Sequence, residues 1–278
     1  MKYVLIRDDD TNATTPVAVL ERLFRPFFDR DLPVNLAVIP AVATHATDLR
    51  GARERFVRSE RAGEHGYLPI GGASELVGYL RGEPLLCVVQ HGLHHEIVDG
   101  HYELDREDAR DIGERLDRGK ALLAQAGLGT PSALVAPQDS FTRAAAREIL
   151  LRYPIFSAGY FDLSRVPRRW WPWYLYTKKV RKQPHWRTAR ARLLTHPGCM
   201  LSAQRDPRTM LADIEREIDS RELTVVVSHW YEYYDADGRE RTAHVDVLHA
   251  LAERLAARRD VRVTTFDELA GKAPTRRA

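Results

Sequence analysis

The chain has 278 residues, 44% of them hydrophobic, enough to bury a sizeable core as one large α/β domain or two small ones. Its 42 Lys and Arg against 39 Asp and Glu leave a net charge of +3, too even to mark the whole chain as a nucleic-acid binder. No segment approaches the roughly 20 apolar residues of a transmembrane helix. The apolar part of MKYVLIRDDD is too short for a signal peptide, so a cytoplasmic protein is expected. Cys87 and Cys199, the two cysteines, stand in apolar surroundings without metal-type spacing; reduced buried thiols are expected, and a disulfide between them stays open.

Along the chain, short runs rich in Val, Ile and Leu alternate with longer amphipathic stretches. Strands are predicted at Lys2–Arg7, Val34–Ile39, Leu85–Gln90, Ser132–Ala136, Ile155–Ser157, Arg192–Thr195, Thr224–Ser228 and Val261–Thr264. Most do not alternate polar with apolar, which suits strands buried on both faces of a parallel sheet. Helices are predicted at Pro16–Arg30, Ser74–Leu80, Arg106–Ala126, Thr142–Arg152, Pro207–Ser220 and Ala243–Arg258. Thr15 before Pro16 and Asp206 before Pro207 read as N-caps followed by a first-turn proline. The repeated strand–helix alternation predicts a parallel barrel or a doubly wound sheet. In both, the active site lies at the carboxyl ends of the strands.

Four predicted strands, the first, third, fourth and seventh, run directly into polar residues at that end, the fourth into LVAPQDSF. The first runs into Asp8, Asp9 and Asp10, three adjacent carboxylates whose repulsion a divalent cation would relieve. One of an adjacent pair can bind such an ion while the other takes a proton from its water; the competing reading is a capping cluster ahead of Pro16. The third strand runs into QHGLHHE, where His91 and His95 are four apart. On a helical turn that spacing puts both rings on one face, where they can share an ion. A carboxylate would complete a two-His, one-Asp set with open positions; the competing reading is a solvated loop. The seventh strand ends at His229, placed to protonate a leaving group or, alternatively, hydrogen-bonded among aromatics. His196 follows the sixth strand, as a substrate contact or as a structural histidine before Pro197. His244 and His249 are expected at the surface of a helix, and His45, His65 and His101 have no partner identifiable in the sequence.

With these residues in place, the chain resembles the polysaccharide deacetylase superfamily, from IRDDDTN through to VRVTTFDELA. The resemblance implies a distorted (β/α)7 barrel of mostly parallel strands. It implies a hydrolase that removes an acyl group, as an amide or ester, from a sugar-like or glycoconjugate substrate with one bound divalent metal ion, often zinc. Carried over residue by residue, Asp9 is the base, and Asp10, His91 and His95 are the metal ligands. His229 is the acid. Asp8 with Asp9 remains an alternative to Asp9 with Asp10. VAPQD, at Val135–Asp139, matches the proline-containing third motif, so Pro137, Gln138 and Asp139, with His196 and Trp230, are the expected substrate-facing residues. The chain also departs from the family. Thr11 and Asn12 stand where Gly-Pro is usual, the third motif has no arginine, and no Asp-Trp motif is present to orient the late histidine. These departures keep open a non-catalytic relative that binds a carbohydrate or a partner.

Between the fifth and sixth strands lies RVPRRWWPWYLYTKKVRKQPHWRTARAR, residues 165–192, with ten Lys or Arg, no acid and four of the five tryptophans. Three prolines argue against one uninterrupted helix. The segment reads as a hairpin packed on the barrel, as a surface for an anionic glycan, glycolipid or membrane, or as a site for RNA or single-stranded DNA. A single barrel domain over 1–271, followed by a disordered basic tail over 272–278, completes the expectation.

Overall fold

A computed structural model describes residues 1–58 and 66–272. His65 and the tail beyond Lys272 lie outside the described residues. All eight predicted strands form, as β1 (Lys2–Thr11), β2 (Val34–Val38), β3 (Leu86–His91), β4 (Ala133–Val135), β5 (Ile155–Ala158), β6 (Arg192–Thr195), β8 (Leu223–His229) and β9 (Val261–Val263). A further strand, β7 (Cys199–Leu201), and the two-residue strand Trp186–Arg187 were not predicted; each is too short to leave a periodicity. The six predicted helices are α1 (Val17–Phe28), α2 (Ser74–Gly82), α3 (Ala109–Gln125), α4 (Arg143–Arg152), α5 (Pro207–Ser220) and α6 (Thr242–Ala257).

The sheet runs β6-β5-β4-β3-β2-β1-β8-β7, with β9 also beside β1, and every one of these pairings is parallel. Apart from β1, which meets β8 and β9, neighbours in the sheet are neighbours in the chain, as in a barrel of βα units. Trp186–Arg187 adds an antiparallel edge to β6. The two ends of the sheet, β6 and β7, are joined by the short link from Thr195 to Cys199, so the chain itself bridges the seam. This is the distorted (β/α) barrel expected.

Two apolar layers hold it. Leu5, Ala37, Val89, Val135, Ile155, Leu194 and Val225 fill the barrel interior. Val4, Ile6, Leu36 and Val226 face outwards onto α1, α2, α5 and α6. Along β1, odd positions therefore point in and even positions point out to the helices, the period of two that a strand imposes. Leu5, Arg7 and Asp9 follow the inward series, which becomes polar only towards the carboxyl end.

Asp206 caps α5 by accepting from Arg208 N–H, as its sequence signature implies. Thr15 does not cap α1. Its hydroxyl accepts from Asn12 N–H instead, and Pro16 is the boundary residue, without a side-chain cap.

Candidate metal centre

Strand alternation would send Asp9 and Asp10 to opposite faces of the sheet. The structure avoids this with a β-bulge. Against β2, Asp8 pairs with Leu36 and Thr11 with Val38, so one extra residue is accommodated between them. Asp10 absorbs the distortion with φ 69°. A bulge re-aims a side chain, and here both Asp9 and Asp10 line the same cavity. The turn is pinned at the Asp10 carbonyl, which accepts from Asn12 Nδ2 at 2.8 Å and Trp230 Nε1 at 3.3 Å. Asn12, one of the departures from the family pattern, thus holds the Asp10 backbone and also reaches the Phe56 carbonyl.

His91 ends β3, and His95 reaches the same point through a loop. The helical turn expected for this pair does not form, because Gly92 and His95 take left-handed φ values of 58° and 53°. Any side chain at 92 would also lie 2.7 Å from the Glu103 carboxylate and 2.6 Å from Pro137. Glu103 shapes the loop: its buried carboxylate accepts the N–H groups of Leu93, His94 and His95 at 2.7, 3.1 and 2.7 Å. His94 is turned away, bonded through Nδ1 to the Ala41 carbonyl and packed on Tyr67.

Asp10 Oδ1 lies 3.1 Å from His91 Nε2 and 3.1 Å from His95 Nε2, all three groups being buried. Neither approach has hydrogen-bond direction, and Oδ1 has no other partner. Such separations are the edges, about 3.0–3.4 Å, of a coordination shell with bonds of roughly 2.1 Å. His91 Nδ1 meets the Val135 carbonyl at 3.1 Å, which fixes the proton on Nδ1 and leaves the Nε2 lone pair for an ion. His95 Nδ1 meets the Gln138 amide at 2.9 Å. For Nε2 to be a ligand, the amide oxygen, otherwise unpartnered, must be the group that faces it. Burial pushes the Asp10 carboxyl up, but His95 and His91 outweigh it and hold it well below the usual carboxylate range. The residues present thus fit one divalent ion.

Asp9 is held by Arg7, whose Nη2 lies 2.7 Å from Asp9 Oδ2 while Nη1 donates to Ser157 Oγ at 2.8 Å. Asp9 Oδ1 is buried with no hydrogen bond. The guanidinium goes to Asp9 because residues 7 and 9 share the inward face of the strand. Asp8 points to the helix side and accepts from Ser228 Oγ at 2.6 Å and Trp230 N at 3.2 Å. Burial pushes its carboxyl up to about 8, against the opposing pull of Ser228 and His229. Asp8 therefore ties β1 to β8.

His229 lies beside Asp9 in the β1–β8 register, with Nε2 4.0 Å from Asp10 Oδ2. Its Nδ1 is 3.2 Å from Glu232 Oε1 and 3.5 Å from Cys199 Sγ. Burial pulls its imidazolium down, but its neighbours Tyr231, Cys199 and Glu232 prevail and raise it well above the ordinary histidine value. Cys199, His229 and Glu232 form a second set of metal-type donors. There, however, Glu232 Oε2 already accepts from Ser202 Oγ and Ala203 N, each at 2.6 Å. That arrangement orients His229.

Of the expected substrate-facing residues, Gln138, Asp139 and His196 line the cavity of about 230 Å³, while Pro137 and Trp230 do not. Trp230 is fully buried under the Asp10 turn, and Pro137 is buried against Gly92. Gln138 and Asp139 hold consecutive left-handed φ values of 50° and 54°, strain of the kind concentrated at functional sites. Asp139 accepts from His196 Nε2 and Gly159 N. Burial pushes its carboxyl up, yet these bonds and the charges of His196 and Arg7 take it down to about 2. Sequence reasoning passed over Arg7, Glu54, Phe56, Tyr231 and Glu232, all near this centre; only Arg7, two residues before Asp9 on one strand face, left a readable signal. Cys87 is buried as expected, whereas Cys199 is only half-buried at the cavity wall, and both are free.

No family model matches the sequence, and no curated protein matches it. Solved structures do. A protein from Mycobacterium smegmatis assigned to the polysaccharide deacetylases is 13% identical, with 97% of this chain and 88% of that one covered and a TM-score of 0.61. A family 4 acetyl xylan esterase from Clostridium thermocellum, in complex with a cobalt ion, is 9% identical, with 100% and 97% covered and a TM-score of 0.53. A CE4 family pseudoenzyme from Bacillus anthracis is 10% identical, with 97% and 66% covered and a TM-score of 0.55. The chain has the fold of the polysaccharide deacetylase superfamily.

Proposed function

We propose that the chain is a metal-dependent hydrolase that removes an acyl group, as an amide or ester, from a sugar-like substrate. The observation that carries this reading is the convergence of Asp10 Oδ1, His91 Nε2 and His95 Nε2 on one buried point where the carboxylate oxygen has no hydrogen bond. These three residues would hold one divalent ion, with zinc the first candidate for two imidazoles and a carboxylate. Bound there, such an ion lowers the pKa of water and polarises a carbonyl.

The remaining work falls to side chains. Asp9 takes the proton of the attacking water on Oδ1, while Arg7 fixes its other oxygen. The Gln138 backbone N–H, at the strained turn after Pro137, donates to the developing oxyanion. His229, with Nδ1 3.2 Å from Glu232 Oε1, gives its proton to the departing amine or alcohol.

A non-catalytic binder of the same fold is the second reading, favoured by the missing motif arginine and Asp-Trp pair and by a pseudoenzyme among the similar structures. Two observations weigh against it. Arg7 reaches Ser157, whose carbonyl holds Ala136 N–H, so a guanidinium stands beside the third motif although none belongs to it. Glu232 supplies the carboxylate that orients His229.

Metal analysis of the purified protein, combined with assays on 4-nitrophenyl acetate and acetylated amino sugars, tests the proposal. About one divalent ion per chain and hydrolysis abolished by a chelator are expected. An ion without hydrolysis of any compound would favour the binder, and the absence of any bound divalent ion would overturn the ligand assignment.

A further inference from the structure

The segment from Arg165 to Arg192 rests on the barrel by one face. Trp186 is buried, and Phe161, Trp170 and Tyr174 meet it edge-on at 5.7–6.4 Å. The opposite face belongs to the short helix Trp171–Leu175 and the helical turn Tyr176–Val180 that continues it. There Trp173, Leu175, Tyr176 and Val180 are 47, 41, 45 and 68% exposed. Ten large hydrophobic side chains are exposed among the described residues, and four of them fall within residues 173–180. That is a patch, which singly scattered surface residues would not make. Trp173 is held firmly: its ring lies 5.5 Å from that of Tyr176, and Nε1 donates to the Arg187 carbonyl.

Lys179, Arg181 and Lys182 are exposed beside the patch, and no acid occurs from 165 to 192. An adjoining cleft of about 920 Å³ is lined by Lys178, Arg181, Lys182, Arg192 and Arg221, with one acid, Glu222. Exposed Trp and Tyr rings with aliphatic side chains, rimmed by cations, match the apolar boundary and negative surface of an anionic bilayer. Leu175 and Val180 have no π face on which a base could stack, which separates this surface from a single-stranded nucleic-acid platform. No helix among the described residues is long and apolar enough to cross a membrane, so contact would be with the surface.

We propose that this face docks the protein on anionic lipid bilayers, independently of the activity proposed above. Co-sedimentation with vesicles of phosphatidylcholine, with and without about 30% phosphatidylglycerol, tests it. The full chain should bind the anionic vesicles at least about tenfold more tightly and weaken as salt is raised. Leu175→Ser with Val180→Ser, and separately Lys179→Glu with Lys182→Glu, should each cut binding by about tenfold or more while leaving the melting temperature unchanged. Equal binding to neutral vesicles overturns the proposal. So does full binding by the Leu175/Val180 variant, or displacement of wild type from vesicles by a single-stranded RNA oligomer that the same variant binds undiminished.

Discussion

The barrel mouth and the 165–192 segment both concentrate charge, but they do so in opposite ways. At the mouth, Arg7, Asp9, Asp10, His91, His95 and Glu103 are buried, and each is engaged by named neighbours. Charge can be kept in such a place only if it is paired, hydrogen-bonded or bound to an ion. In the segment, Lys179, Arg181 and Lys182 stand in water, and any one of them can be lost at little cost. Buried charge specifies one geometry and one chemistry; exposed charge supplies a graded field. The mouth should therefore respond to single substitutions sharply, and the segment only to several at once.

The largest effect is expected from Asp10→Ala or His91→Ala. Either should abolish stoichiometric metal binding and cut hydrolysis at least about 10³-fold; metal analysis that still finds the ion would break the assignment. Next, Arg7→Leu leaves the Asp9 charge buried without its partner and should cost about 3–5 kcal/mol in denaturant unfolding. Adding Asp9→Asn should recover much of that loss. If Arg7→Leu is as stable as wild type, the pair is not the constraint described above.

Glu232→Gln should lower kcat by about 10- to 100-fold. It should also move the alkaline limb of the pH–rate profile. The sign follows from the upward direction of the His229 shift beside Glu232: the acid form is lost as pH rises through the raised value. Removing the Glu232 charge lowers the pKa, so the fall should begin at lower pH; an unmoved limb would assign it to another group. At the small end, Lys179→Ala should change stability by less than about 0.5 kcal/mol, measured by thermal melting. A larger loss would show that the segment is held by its charges as well as by its tryptophans.

Much of this could be read from the residues. The short Val-, Ile- and Leu-rich runs and the longer amphipathic stretches gave the strands and helices in the right order, because burial on both faces and on one face leave different patterns. Asp10, His91 and His95 were legible because polar groups directly after buried strands are costly without a use. Arg7, Glu232 and Trp230 were read poorly. The first two look like ordinary charges, and Trp230 looks like a residue facing the substrate; which of them faces inward depends on strand register and on the turn that follows. The helical geometry expected for His91 and His95 failed for a similar reason: Glu103, eight residues beyond His95, dictates the loop from a distance.

The sequence by itself determined that acids and imidazoles end the strands of a parallel α/β fold, since periodicity and composition are local properties. Which way Asp8, Asp9 and Asp10 each point was decided only in three dimensions. Strand parity places Asp8 outside with Ser228 and Asp9 inside with Arg7, and a bulge with one left-handed residue turns Asp10 inside as well, towards His91 and His95. A one-residue shift in register reverses every side chain on a strand, and that shift depends on the neighbouring strand.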